Sequence, residues 1–354
     1  MGKFKFRLPL EIELTRQQRR AIDFPKAVFF TGVPGSGKTV VSVYRLKKYN
    51  NAILFTYGKL LKLAIQNLID DKNKIVDNIH NWNWNWNIDD NKEYLENRIS
   101  DNNLLESINF FKQRCDYEYI LVDEGQDLES NVYKLLKELT PNLSVSADNA
   151  QKVYSKGASE DDILKELPDN NIKRIELDQN FRNSFEIYNF AKEFVQNNPR
   201  ANDNHMLEKF IKGEANKPYV YLVEILDRTF EIIKKIISNN KGLNIGILSE
   251  DTLTVDTYKK LLSKDFDISS YTNKDKNVPQ DLKNILVTTF KSSKGMEFDI
   301  VIMPQFQYLK EEKLNEYYVG ATRAKTELYI LAIGKLPPIF ENICKSTYIL
   351  KNEL

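Results

Sequence analysis

The sequence predicts an α/β protein of two domains, each a parallel sheet with helices on its faces. Three observations carry that prediction. The chain has 354 residues, enough for two ordinary domains. Short apolar runs alternate with longer segments of helical periodicity in both halves, the rhythm of strands joined by crossover helices. An early apolar run also leads straight into a Gly-rich loop and then a helix, and parallel sheets bind ligands at such strand ends.

In the first half the predicted order is strand Ala27–Thr31, loop Gly32–Thr39, and a helix near Val40–Tyr49. Strand Ala52–Thr56 and helix Lys59–Asp70 follow. A polar stretch, Asp71–Leu104, interrupts the rhythm. Strand Tyr119–Val122, helix Asn131–Leu139 and strand Leu143–Ala147 resume it. Pro168-Asp169-Asn170-Asn171 reads as a turn between domains. The predicted domains are therefore 1–170, with a short insert near 71–115, and 171–354.

The second half opens with strand Arg174–Leu177, helix Ser184–Val195 and strand Tyr219–Val223. Helix Arg228–Asn239, strand Asn244–Leu248 and helix Thr254–Ser263 come next. Strands Ile285–Thr289 and Ile300–Met303, helix Leu314–Thr322 and strand Leu328–Ala332 complete it. The polar stretch Pro199–Pro218 reads as a loop.

Composition narrows the class. Apolar residues make up 42%, enough for full cores, and a formal charge of +1 excludes a globally cationic surface. Any nucleic-acid site must be a local groove. Cys115, Cys344, His80 and His205 have no zinc-ligand spacing. Two lone cysteines suit a reducing compartment, and no apolar window approaches a membrane span. The expectation is a soluble, cytoplasmic protein.

Gly32-Val33-Pro34-Gly35-Ser36-Gly37-Lys38-Thr39 matches G-x-x-x-x-G-K-[ST], with a strand before it and a helix after. Gly32, Gly35 and Gly37 let backbone N–H groups, Ser36 among them, turn toward phosphate oxygens. Lys38 reaches the β- and γ-phosphates, and Thr39 offers a hydroxyl to Mg2+. A Gly-rich turn that binds nothing is the alternative, and the strand–loop–helix context argues against it. Ile120–Asp127 is an apolar strand ending in D-E-x-Q-D. Its end shares the sheet edge with the loop. Asp123 is placed to hold Mg2+, and Glu124 to deprotonate an attacking water; the plainer reading is a solvated acidic loop.

Together these motifs resemble the UvrD/Rep/PcrA-like superfamily 1 DNA helicases, in a short form lacking most accessory inserts. Further matches run in the family's order. Leu14-Thr15-Arg16-Gln17-Gln18 is similar to the adenine-reading Q motif, with Gln18 in the recognition position. Phe55-Thr56-Tyr57 and Asn78-Ile79-His80-Asn81-Trp82 resemble its DNA-contacting motifs. Asp148, Gln151 and Tyr154 resemble the motif that senses the γ-phosphate and bears on the base. Asn180-Phe181-Arg182, Thr288–Asp299 and Tyr318–Lys325 resemble the later motifs.

The resemblance implies two RecA-like P-loop domains that use ATP and Mg2+. It assigns Arg182 and Arg323 to the γ-phosphate and Glu297 to the nucleotide. Thr56, Tyr57, His80, Trp82 and Lys291 are assigned to nucleic acid. Both arginines lie far from Lys38 in sequence, so domain closure would complete the site and couple hydrolysis to motion.

Departures from the family pattern bear on the nucleic-acid grip. Lys291 stands where the family has His, and Asn78 where it has Thr. The aromatic that normally follows Tyr154 is absent; Ser155 is there instead. Trp82, Trp84 and Trp86 alternate with Asn, so a strand would present all three on one face. They either stack bases or pack on the first domain, and packing is the preferred reading. His205 reads as a surface residue.

The leading functional reading is an ATP-dependent single-stranded-DNA translocase or helicase, 3′→5′ by resemblance, with RNA a further candidate substrate. It would serve as motor or sensor beside a nuclease or other effector protein, in repair or phage defence. The alternative is an ATP- and DNA-binding switch that signals to a partner without unwinding. A small-molecule P-loop kinase would leave Arg182, Gln151 and Thr288–Asp299 without a role.

Overall fold

The computed structural model describes residues 2–69, 71, 73–85, 99–100, 103–167, 172–195 and 216–353. They divide into an N-terminal unit, Arg7–Asp178, and a C-terminal unit, Gln179–Leu354 with Met1–Phe6.

The N-terminal unit holds strands β1 (Val28–Gly32), β2 (Ala52–Thr56), β3 (Ile75–Asn78), β4 (Tyr119–Val122), β5 (Asn142–Ala147) and β6 (Lys173–Leu177). Their order is β3-β2-β4-β5-β1-β6, and every pairing is parallel. β1, β2 and β4 are buried along their whole length, as a sheet covered on both faces requires. Side-chain alternation sorts neighbours to opposite faces. Phe29 packs with Ile53, Phe55, Ile120 and Val122, whereas Val28 and Phe30 pack with Leu14, Ile22 and Val41. The strands' C-terminal ends lie along one edge, and the predicted site residues follow β1, β2, β3, β4 and β5 there.

The C-terminal unit holds β7 (Tyr219–Val223), β8 (Ile245–Ser249), β9 (Ser269–Tyr271), β10 (Ile285–Thr289), β11 (Phe298–Met303), β12 (Ala324–Ile333) and β13 (Ile349–Glu353). The order is β13-β7-β12-β11-β8-β10-β9, again parallel throughout. Helices Leu226–Asn239 and Thr252–Leu262 press Ile233, Ile237, Val255 and Leu262 onto Ile245, Ile247, Ile285 and Val287. The predicted class is the observed one: two α/β units, each a parallel sheet flanked by helices.

Strands β9 and β13 are not among the expected elements, and four further particulars differ from expectation. Strand 173–177, assigned to the second domain from sequence, is β6 and pairs with β1 from Val28↔Lys173 to Gly32↔Leu177. The division therefore falls after Asp178, not after residue 170. Residues 2–6 join the C-terminal unit: Phe4 meets Phe298 edge-on at 5.6 Å, and Lys5 N donates to Asn244 Oδ1 at 3.0 Å. The supposed insert contains β3, which pairs with β2. The tryptophan run begins in a helix, Ile79–Asn85, not a strand. The turn at 168–171, Trp86, the rest of the insert at 86–98, and His205 within 196–215 lie outside the described residues. Among the described residues no helix is long and apolar enough to cross a membrane.

Candidate nucleotide and nucleic-acid sites

The Gly-rich loop joins β1 to helix Lys38–Lys48. Gly35 and Gly37 take φ of 78° and 86°, the left-handed region where a side chain is costly. A Cβ on Gly37 would also stand 2.4 Å from Gln18 Nε2. Gln18 caps helix Arg16–Asp23 reciprocally with Thr15. Its Oε1 accepts from Thr15 N at 2.9 Å, and its Nε2 donates to Ser36 O at 3.0 Å. The residue expected to read adenine is thus also the tether between that helix and the loop.

Two features of the loop suit a phosphate. Ser36 Oγ is buried without a hydrogen-bond partner, an omission that costs about 1–3 kcal/mol in a closed interior. Lys38 Nζ is folded onto the loop's own carbonyls, Gly32 O at 2.7 Å and Val33 O at 3.2 Å, and lies 3.5 Å from Asp148 Oδ2.

The acids beside it form one network. Thr39 Oγ1 donates to Asp123 Oδ2 at 2.7 Å, and Ser146 Oγ, from β5, donates to Oδ1 at 2.6 Å. Burial pushes the Asp123 carboxyl above the usual carboxylate range. The Glu124 charge adds to that, against the pull of Ser146, Thr39 and Lys38. A buried carboxylate beside a second acid and a threonine hydroxyl is an all-oxygen donor set that fits Mg2+. Glu124 takes a left-handed backbone, φ 56° and ψ 44°. Strain of that kind in a non-glycine residue gathers at functional sites.

Gln126 links the groups. Its Nε2 donates to Glu124 Oε2 at 2.6 Å, and its Oε1 accepts from Asp148 N at 3.0 Å. Gln151 Nε2 donates to Asp148 Oδ2 at 2.8 Å. The structure therefore brings Gln18, Lys38, Thr39, Asp123, Glu124 and Gln151 onto one sheet edge. It joins them to Asp148, which the sequence placed in the same motif as Gln151, and adds Ser146 and Gln126 as partners not singled out as site residues from sequence. The Gln of D-E-x-Q-D was the available signal for Gln126; Ser146 lies in a plain strand and offered none.

Further along the edge stands an aromatic group. The Tyr57 ring lies 4.6 Å from Tyr154 and 5.6 Å from His80, and all three are half-buried. Asn78 shows why it replaces Thr: its Oδ1 accepts from His80 N at 3.1 Å and Asn81 N at 3.3 Å, and its amide donates to Tyr57 O. Two predicted nucleic-acid contacts are corrected. Trp82 is core, stacked on Phe111 at 4.7 Å and against Phe55 at 5.0 Å. Thr56 is buried, with its hydroxyl donating to Gly58 O at 3.3 Å. Helical geometry turns Trp84 outward instead, 39% exposed.

In the C-terminal unit Asn180 and Asn183 are fully buried and brace a turn. Asn180 Oδ1 accepts from the N–H of Arg182 and of Asn183. Asn183 Nδ2 donates to Thr322 O and Ala324 O. Arg182 thereby meets Glu297 at 3.4 Å and Thr322 O at 3.5 Å, one residue before Arg323. Lys325 also binds Glu297, at 2.5 Å. Burial alone would raise the Glu297 carboxyl, but the Arg182 and Lys325 charges outweigh it and hold it below its usual range. Arg323 is buried, its Nε donating to Val319 O at 2.9 Å. Lys291 pairs with Glu316 at 3.1 Å.

A Gly-rich loop at the end of β1, a buried acid pair at the end of β4 and a glutamine after β5 share one edge of a parallel sheet, the arrangement expected of a P-loop unit. The relatives narrow the class. The family described as UvrD-like helicase C-terminal domain matches residues 284–331, the span from β10 to β12 that includes Glu297 and Arg323. RecBCD enzyme subunit RecB of Chlamydia pneumoniae is 40% identical over 91 residues, 24% of this chain and 8% of that one. ATP-dependent DNA helicase Rep of Buchnera aphidicola is 32% identical over 133 residues, 34% of this chain and 19% of that one. DNA helicase II of Haemophilus influenzae is 37% identical over 124 residues, 34% and 17% respectively. The chain resembles the UvrD/Rep/PcrA-like superfamily 1 DNA helicases, and the matched segments span less than a fifth of these relatives' length.

Proposed function

We propose that this chain is an ATP- and Mg2+-dependent motor on single-stranded DNA, a translocase or helicase moving 3′→5′. The observation that carries the reading is the continuous hydrogen-bonded network from Thr39–Asp123 through Glu124–Gln126 to Asp148–Lys38 and Gln151. In this reading Lys38 leaves the Gly32 and Val33 carbonyls for the β- and γ-phosphates, and Ser36 gains an acceptor for its hydroxyl. Thr39 and Asp123 hold Mg2+, which when bound neutralises charge on the phosphate oxygens. Glu124 takes the proton of the attacking water, oriented by Gln126. Gln151 reports the γ-phosphate to the segment that carries Tyr154. Arg182 and Arg323 stabilise charge developing in the transition state, and hydrolysis in a cleft between the two units is part of the same proposal. A nuclease or other effector partner extends it.

The test is steady-state ATP hydrolysis with and without single-stranded DNA and RNA. The expected result is slow hydrolysis alone and stimulation by single strands, DNA above RNA. Equal rates under all conditions would overturn the motor reading. Stimulated hydrolysis without displacement of a duplex strand would favour the signalling switch.

A further inference from the structure

We infer that Trp84 is a base-stacking residue for single-stranded DNA, completing a run of rings along the edge of the N-terminal sheet; the inference rests on the proposed function. Three observations place it. Trp84 lies four residues after His80 in helix Ile79–Asn85, so the two side chains share a helix face. His80 meets Tyr57, and Tyr57 meets Tyr154, a series of half-buried rings, and of Trp82 and Trp84 it is the Trp84 indole that reaches solvent. Asn78 pins the start of the helix, donating to Tyr57 O while accepting from His80 N and Asn81 N; Trp82 anchors its other side on Phe111 and Phe55. The exposed indole therefore stands on a braced element.

The chemistry selects bases. Every base presents a π-face, so a line of aromatic rings accepts any sequence, and an exposed indole is its largest platform. Lys152 and Lys156 flank Tyr154 in sequence, two cationic residues for a phosphate backbone, with Lys156 3.8 Å from Glu129 in this structure. The run also joins the nucleotide site. Tyr154 lies three residues past Gln151, whose amide bonds Asp148, itself 3.5 Å from the Lys38 ammonium. A base on this run and a phosphate on Lys38 would act on one short segment.

The experiment measures affinity for a fluorescent oligothymidylate and for an abasic strand of the same length, without nucleotide. Trp84→Ala should lose roughly five- to hundredfold in affinity for the oligothymidylate, with Trp84→Phe recovering most of it. Neither substitution should alter affinity for the abasic strand or the melting temperature. Trp84→Ala binding both strands like wild type would overturn the inference while leaving the motor reading standing. Early melting of Trp84→Ala would place the indole in the core and also overturn it. A wild-type chain that binds neither strand would instead sink the proposed function itself.

Discussion

The two units gather opposite charge. The N-terminal unit sets a buried ammonium, Lys38, near the buried carboxylates Asp123, Glu124 and Asp148. The C-terminal unit sets the carboxylate of Glu297 between Arg182 and Lys325, with Arg323 next to the carbonyl that Arg182 holds. Unbalanced buried charge costs stability unless paired, so neither collection is explained by folding alone. One excess is suited to a cation and the other to an anion, and a magnesium–nucleotide complex carries both. Breaking each side separately should give different kinetic signatures.

The largest effect is expected in the cationic unit. Arg323→Ala should lower ATP turnover by about 10³-fold, with nucleotide affinity changed far less, if the guanidinium acts as proposed on charge that develops in the transition state. Its bonds to the Val319 and Met296 carbonyls make the melting temperature a necessary control, and Arg323→Lys keeps the charge while losing the fork. A folded variant that loses affinity and keeps turnover would assign Arg323 to ground-state binding.

A smaller effect is expected in the acidic unit, at a residue whose role is positioning. Ser146 Oγ donates to Asp123 Oδ1 and accepts from Glu124 N at 3.3 Å, so one hydroxyl holds the Asp123 carboxylate and the backbone of the next acid. Removing a group that orients a metal ligand typically costs about 10- to 100-fold in metal affinity. Ser146→Ala should raise the Mg2+ concentration needed for tight binding of a fluorescent nucleotide by that factor, and Ser146→Thr should restore it. An unchanged Mg2+ titration would leave the serine a structural role only.

Legibility differed between the units for physical reasons. The phosphate loop and the acid strand could be read because phosphate chemistry demands glycines, a lysine and acids at set spacing. β10 could be read because Ile285-Leu286-Val287 runs into two threonines, a strand-forming sequence buried along its length. β3, Ile75-Val76-Asp77-Asn78, is an edge strand with one exposed and one half-buried position, and its composition hid it in a polar stretch. β6 reads as a strand locally, but nothing local says which sheet it joins; only its pairing with β1 does. The period-two indoles suggested a strand, yet Asn78 caps a helix there and burial divides the tryptophans differently. β13, with exposed Leu350, Lys351 and Asn352, pairs at a sheet edge through its backbone and leaves little pattern to detect. Ser146 and Asn183 act through bonds to residues distant in sequence, which spacing cannot reveal.

The smallest effect separates two roles for Lys291, the lysine that stands where the resemblance expects histidine. Its ammonium meets Glu316 at 3.1 Å, with the lysine about a third exposed and the glutamate nearly buried. If that pair is its whole role, Lys291→Ala should lower the melting temperature, because the nearly buried Glu316 carboxylate loses a partner. The salt dependence of DNA affinity would then be unchanged. If the lysine leaves Glu316 for a phosphate when DNA binds, the logarithmic slope of affinity against salt should fall by about one, uniformly across base sequences. Glu316→Gln sharpens the comparison. It frees the ammonium without removing it, so a phosphate contact should strengthen in that variant, whereas a purely structural pair should leave DNA affinity where it was. Opposite shifts in DNA affinity for Lys291→Ala and Glu316→Gln would show that the anionic partner inside the unit competes with the anionic partner outside it. This is the charge contrast between the units reduced to a single side chain.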